Sequence, residues 1–81
     1  GAEKFWMRVF EVEPNGYTPL HKHPWEHEVF VLEGSGVVVG PDGEVPIGPG
    51  TVVFIPPNEL HQFRNTGSSV LKFICLVPAH E

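Results

Sequence analysis

Turn-forming residues divide this chain into segments that are too short for ordinary helices. The 81 residues include nine glycines and nine prolines, and the stretches between them are rich in Val, Ile, Phe and Thr, which are typical of strands. No segment carries a helical period of any length. Many short strands joined by closely spaced turns predict an all-β fold, either an antiparallel β-barrel or a jelly roll.

The turn signals define a series of extended segments along the chain. They are residues 5–13, 17–23, 27–33, 36–39, 44–47, 51–55, 61–64 and 70–77. No linker, repeat or low-complexity stretch separates them, so one domain is predicted over residues 1–81. A domain of this size has a thin core and often gains stability from a metal ion or from dimerisation.

Charge and cysteine content narrow the class of protein. The net charge is −5 with neutral histidines, and no basic stretch exists, which argues against nucleic-acid binding because phosphates need Lys and Arg. No apolar run reaches the length of a membrane span and no signal-peptide pattern opens the chain, so no membrane partner is expected. The single cysteine cannot form an internal disulfide, which is typical of a cytoplasmic protein.

Four of the five histidines fall into two compact motifs, His21, His23 and His27 in the first and His61 in the second. Residues two apart on a strand face the same way, so His21 and His23 can present their imidazoles side by side. Four imidazoles brought together from three segments would bind one divalent transition metal. The alternatives are four unrelated histidines, or a metal with a purely structural role.

The residues around these histidines form two longer motifs. The first is GYTPLHKHPWEH at residues 16–27, which is completed by Gly34, and the second consists of Gly50, Pro56, Asn58, His61 and Asn65. Together they resemble the two motifs of the cupin superfamily across nearly the whole chain. Asn58 stands where the family has a glycine, and since Asn tolerates a left-handed backbone, the turn is expected to survive.

The resemblance carries further expectations. The segment HPWEHE at residues 23–28 resembles a small subgroup of single-domain cupins with a four-histidine manganese site. It implies a double-stranded β-helix, a homodimer and an association with oxygen-dependent alkene cleavage. It favours manganese, with iron, nickel, copper and zinc as alternatives.

The third ligand of the first motif is a departure from the usual family pattern. Most cupins have a glutamate three residues beyond the second histidine, whereas this chain has His27 followed by Glu28. Adjacent strand residues face opposite ways, so only one of the two can reach the metal. We predict His27 and keep Glu28 as the alternative.

Four neutral imidazoles leave the full charge of a divalent ion in place, which favours an anionic fifth ligand. Ligands at adjacent octahedral corners leave two neighbouring positions, enough for a substrate and dioxygen together. The predicted function is therefore that of a metal-dependent oxidoreductase of the dioxygenase type, cleaving C=C or C–C bonds of a small molecule. The alternatives are a non-enzymatic ligand-binding or sensor module and a non-redox isomerase or hydrolase; the latter lacks a strong general base apart from the ligands.

Strand parity predicts the substrate pocket around the metal. Phe63 should share the face of His61, and the resemblance favours Phe73, Cys75 and Val77 as the inward set of the last strand. Cys75 could be a soft ligand or a small buried hydrophobe. Arg8 alternates with apolar residues and could bind a substrate carboxylate near the metal, or could pair with a surface acid such as Glu11 or Glu13.

Several segments are apolar on both faces, including residues 29–32, 52–55 and 73–77. Only one face of a strand in a small barrel meets the core, so the other needs a cover. A monomer would expose residues such as Phe30, Leu32 and Leu76. A symmetric homodimer is the simplest arrangement that covers them.

Overall fold

The computed structural model describes residues 5–20 and 22–78 and contains seven strands in this part of the chain. They are β1 (Phe5–Val12), β2 (His27–Glu33), β3 (Gly36–Gly40), β4 (Gly43–Ile47), β5 (Val52–Ile55), β6 (Gln62–Asn65) and β7 (Leu71–Pro78). The predicted all-β fold is confirmed. No helix among these residues is long and apolar enough to cross a membrane.

The strands form two antiparallel sheets that pack face to face. One sheet has the order β1-β7-β2-β5 and the other has the order β4-β3-β6. The chain passes between the two sheets after β2, β4, β5 and β6, and this alternation produces the jelly-roll arrangement. The core lies between the sheets and consists of Val12, Val29, Val31, Ile47, Ile55, Phe63, Leu71, Phe73, Cys75 and Val77.

The turn between β2 and β3 needs glycine for two separate reasons. Gly34 has a φ of +85°, in the left-handed region that side chains rarely adopt. A Cβ at this position would also collide with the backbone of Val70 and lie 2.8 Å from Cα of Leu71. The close approach of the 70–71 backbone brings the start of β7 against the turn that links the two sheets.

Asn65 joins the end of β6 to two other parts of the fold. Its buried side-chain amide donates to the carbonyl oxygens of Val12 and Ser69, each at 2.8 Å, and its side-chain oxygen accepts from the backbone N–H of Gly67 at 2.9 Å. These bonds satisfy the donors and the acceptor of a buried amide. The asparagine of the second motif therefore has a structural explanation.

The segment 17–23 is the main departure from the predicted strands. Its described residues make one isolated β-bridge, Tyr17 with Arg64. The backbone N–H of Thr18 donates a hydrogen bond to the carbonyl of Phe63, and the hydroxyl of Thr18 accepts one from the backbone N–H of Phe63. Pro19 and Pro24 interrupt the region, and since proline has no N–H to donate, a regular ladder cannot continue through it. The segment is anchored to β6 without becoming a strand.

Candidate metal centre

The three described histidines of the two motifs reach one place from three different parts of the chain. His23 ends the irregular segment, His27 is the first residue of β2, and His61 immediately precedes β6. The backbone N–H of Asn58 donates to the carbonyl of His23, which ties the corner before His61 to the first motif. Asn58 has a φ of 64°, so the left-handed turn expected at this position is confirmed.

The imidazoles are close enough to share an ion. Ring centroids are separated by 4.8 Å for His23 and His27, 5.2 Å for His27 and His61, and 5.9 Å for His23 and His61. One nitrogen of each ring lies within 4.8 Å of the others. Zinc–imidazole bonds are about 2.1 Å long, so the nitrogens would have to close to about 3 Å, a shift that side-chain rotation can supply.

Hydrogen bonding selects which nitrogen of His61 remains for a metal. Nδ1 lies 2.9 Å from the backbone carbonyl oxygen of Glu59. A carbonyl only accepts, so Nδ1 carries the proton and Nε2 keeps its lone pair. Ligating histidines are commonly oriented in this way. The carbonyl of Glu59, rather than its carboxylate, makes this contact.

The Nδ1 atom of His27 has an unusual neighbour. This atom lies 3.6 Å from Sγ of Cys75, and Nε2 of the same ring is buried from solvent. If Nε2 binds a metal, Nδ1 must carry the proton and direct it at the sulfur. Burial raises the pKa of the Cys75 thiol, the positive charge of Arg8 opposes that rise, and the charge of Glu28 adds to it.

The choice between His27 and Glu28 follows from the pleat of β2. His27 is 8% exposed and faces His23 and His61. Glu28 is opposite Phe54 and Leu76 on the outer face of the sheet. Burial raises the pKa of the Glu28 carboxyl, and its hydrogen bond and charge interaction with Glu26 raise it further. The structure therefore places His27, and not Glu28, in the cluster.

His21 lies outside the described residues, so the fourth ligand remains a prediction. The donor set of His23, His27 and His61 fits a transition metal on chemical grounds, because imidazole is a ligand that such ions prefer. Two of the three rings are almost fully buried, with His61 only 3% exposed. Buried polar rings gathered from separate segments are what a metal site requires.

A cavity of about 630 Å³ opens beside the histidines. All the pocket residues predicted from the sequence line it: Arg8, Phe63, Phe73, Cys75 and Val77. The side chains of the last four are buried. The cavity is within the size range of sites for small organic molecules.

Sequence reasoning did not assign several other residues to this cavity. They include Phe10, Val12 and Thr18. Phe10 and Val12 share the face of Arg8 on β1, so strand parity could have found them. Trp25, two residues after His23, also lines the cavity and stacks on His23 with a centroid separation of 5.0 Å and an interplanar angle of 7°.

A Cupin_2 domain model, described as a cupin domain, matches residues 8–77. A 1-methylthio-D-xylulose 5-phosphate methylsulfurylase from Rhodospirillum rubrum is 36% identical and aligns with 90% of this chain and 47% of its own length. An oxalate-binding protein from Thermotoga maritima is 35% identical over 83% of this chain and 56% of its own length.

Solved structures give the same result. A polyketide cyclase from Streptomyces resistomycificus superposes with a TM-score of 0.87 at 44% identity, covering 99% of this chain and 58% of that one. The chain thus spans about half the length of the relatives it matches. The names of these relatives describe different roles. The match to the domain model over residues 8–77 shows that the chain belongs to the cupin domain family.

Proposed function

We propose that this protein is a metal-dependent oxidoreductase of the dioxygenase type that acts on a small, largely apolar molecule. The observation that carries the proposal is the convergence of His23, His27 and His61 at a cavity of about 630 Å³. When bound, a divalent metal would supply positive charge and coordination positions for the reactants. The four-histidine set with His21, and manganese as the ion, belong to this proposal.

The chain's own residues give the cavity its chemical character. Phe63, Phe73 and Val77 exclude water from the reacting groups, which strengthens electrostatic interactions there. Trp25 holds the ring of His23 by stacking. The cavity-lining carboxylates in the described ranges, Glu11 and Glu13, are both exposed, so no buried carboxylate is available as a general base.

Metal content and oxygen consumption test the proposal together. Purified protein should contain about one manganese or other transition-metal ion per chain by elemental analysis, and His61→Ala should lose most of it. Dioxygen uptake should occur with at least one member of a panel of alkenes, diketones and catechols. Arg64→Ala is the matched control, because Arg64 lies three residues after His61, on β6, and pairs on the surface with Glu44 at 3.2 Å. If the wild-type protein consumes dioxygen no faster than His61→Ala with every compound, the oxygenase assignment is refuted.

A second candidate is non-redox chemistry through a metal-stabilised enolate. The similarity to a polyketide cyclase across 99% of this chain favours it. Turnover that proceeds at the same rate without dioxygen would select this candidate. A third outcome, ligand-induced thermal stabilisation without turnover, would indicate a binding module, as the name of the oxalate-binding relative suggests.

We also propose that the functional unit is a homodimer. The outer face of the four-stranded sheet carries two cross-strand rows, Met7, Leu76, Glu28 and Phe54 in one and Val9, Ile74, Phe30 and Val52 in the other. Seven of these eight side chains are apolar, and the second row has no charge. A second copy presenting the same face would cover the rows symmetrically.

A further inference from the structure

The cavity beside the histidines has an aromatic wall. The ring of Phe73 stacks on that of Phe63 with centroids 4.7 Å apart and on that of Phe10 with centroids 5.4 Å apart. The rings of Phe63 and His61 are arranged edge to face, with their centroids 6.2 Å apart. An aromatic ring in the cavity can pack against this apolar wall, whereas a sugar would leave its hydroxyls facing carbon.

Arg8 supplies positive charge to the same cavity. It is the single lysine or arginine among the cavity-lining residues of the described chain. Strand register sets it directly opposite Cys75, so it shares the inward face of the sheet. Its guanidinium carbon lies 5.6 Å from the centroid of the Trp6 ring, which restricts the orientation of the planar group at the cavity mouth.

The acids on β1 and in the following turn do not neutralise this charge. Within residues 5–20 and 22–78 the ion pairs are Arg64 with Glu44 at 3.2 Å and Lys72 with Glu11 at 4.0 Å. Glu11 therefore faces Lys72 on the outer surface, in agreement with their register. The guanidinium is left available for an anion that enters the cavity, and its planar fork matches a carboxylate.

The strand order sets the distance between Arg8 and the histidines. Arg8 is on β1 and His27 is on β2, with β7 between them. Two strand spacings amount to about 10 Å. Cys75 on β7 pairs with Arg8 in the sheet, and its Sγ lies 3.6 Å from Nδ1 of His27, so Arg8 and the histidines lie on either side of Cys75 along the cavity wall.

We propose that the substrate is an aromatic carboxylate, with its carboxylate on Arg8, its ring against the wall of Phe10, Phe73 and Phe63, and its reacting group directed toward the histidines. The proposal deepens and rests on the function proposed above, since it uses the metal centre as the place of reaction. Arg8 is then the residue that selects for the anion and sets the direction of the substrate.

The test is calorimetric binding to zinc-loaded and metal-free protein with three matched probes: 4-hydroxybenzoate, the neutral 4-hydroxybenzamide, and the non-aromatic trans-4-hydroxycyclohexanecarboxylate. A charge-assisted, bidentate hydrogen bond with Arg8 should make 4-hydroxybenzoate bind at least about tenfold more tightly than the amide. Loss of the aromatic contacts should weaken binding of the cyclohexane probe by a similar factor. Arg8→Gln should abolish the preference for carboxylate over amide while its affinity for the amide and its metal content stay at wild-type values. Arg64→Gln should keep the preference.

Three results would overturn the proposal: equal affinities for benzoate and benzamide probes, a preference that survives in Arg8→Gln, or tighter binding of glucose 6-phosphate than of 4-hydroxybenzoate. The carboxylate-to-amide ratio can be measured without metal. A normal ratio in a protein that binds no metal would therefore reject the metal-dependent function and leave the Arg8 assignment standing. A ratio near one in a protein that binds metal and is active would reject the Arg8 assignment and leave the metal-dependent function standing.

Discussion

Cys75 contacts the imidazole of His27, one of the candidate metal ligands. Its sulfur lies 3.6 Å from Nδ1 of His27, at the ring position opposite the nitrogen that a metal would use. Groups that accept a hydrogen bond from a ligating imidazole fix its tautomer and orientation. A buried cysteine on a core strand thus also supports a candidate ligand.

Replacing Cys75 should change metal affinity without removing a ligand. Cys75→Ala deletes the acceptor and should weaken binding of a divalent ion about tenfold, whereas Cys75→Ser, which keeps an acceptor, should retain most of the affinity. Cys75→Val also deletes the acceptor but adds a methyl group. Competition with a chelating dye measures the binding constants. Identical constants for wild type, Ala and Ser variants would show that the sulfur has no orienting role.

Phe73 is the residue on which the aromatic wall depends. It is 2% exposed and stacks on a ring on either side. Phe73→Ala should lower the free energy of unfolding by about 3–5 kcal/mol, since it removes a large buried side chain and leaves a cavity. Urea unfolding of metal-free protein measures the loss.

The control for Phe73 is Val45→Ala on β4, where the side chain is 58% exposed. That change should shift the free energy of unfolding by no more than about 0.5 kcal/mol. Similar losses in the two variants would mean that the observed packing of Phe73 is wrong.

At the scale of elements, the fold depends on a few connections in which backbone conformation and packing act together. Gly34 and Gly50 have nearly equal φ values of 85° and 87°. A Cβ at Gly34 would collide with the 70–71 backbone, whereas one at Gly50 would meet nothing within 4 Å. Substitutions at these two glycines therefore distinguish the energetic cost of a side chain in the left-handed conformation from the cost of a steric collision.

Gly34→Ala should therefore destabilise the protein much more than Gly50→Ala. Both variants pay about 1–2 kcal/mol for the left-handed conformation, and Gly34→Ala should lose at least a further 1–3 kcal/mol by displacing the start of β7. Thermal unfolding midpoints of the two variants provide the comparison. Equal midpoints would show that the turn and β7 are not in close contact.

At the scale of the whole molecule, the sheet β1-β7-β2-β5 has one face in the core and an outer face that is also mostly apolar. Phe30 is 43% exposed there, and Phe54 and Val52 are more exposed still. Apolar surface that is continuous across four strands favours association. Charge lies at the margin of the second row, where Glu11 and Lys72 pair.

The homodimer proposal predicts twice the chain mass in light scattering coupled to size exclusion. Phe30→Lys should shift the protein to a monomer, because it places a charge in the middle of the apolar row, while Val45→Lys on β4 should remain dimeric. Far-UV circular dichroism verifies that each variant is folded. Wild-type protein with the mass of one chain at high concentration would contradict the proposal.

Local chemistry determined much of this protein before any tertiary contact is considered. Turn residues separate the strands, alternation assigns their faces, and the two histidine motifs, with His21, His23, His27 and His61, predict a shared site. The first two features depend on neighbours in sequence, because turn type and side-chain direction are properties of a few consecutive residues. The shared site is predicted from the resemblance of the two motifs to those of the cupin superfamily. The segment 17–23 shows the limit, since Pro19 within it and Pro24 directly after it prevent the strand that its composition favours.

Strand pairing decided the remaining features. It places Arg8 opposite Cys75, brings Cys75 against His27, and aligns apolar side chains from four strands into two outer rows. Such neighbours are far apart in sequence, and their proximity is set by sheet order and register, which depend on the packing of the whole core.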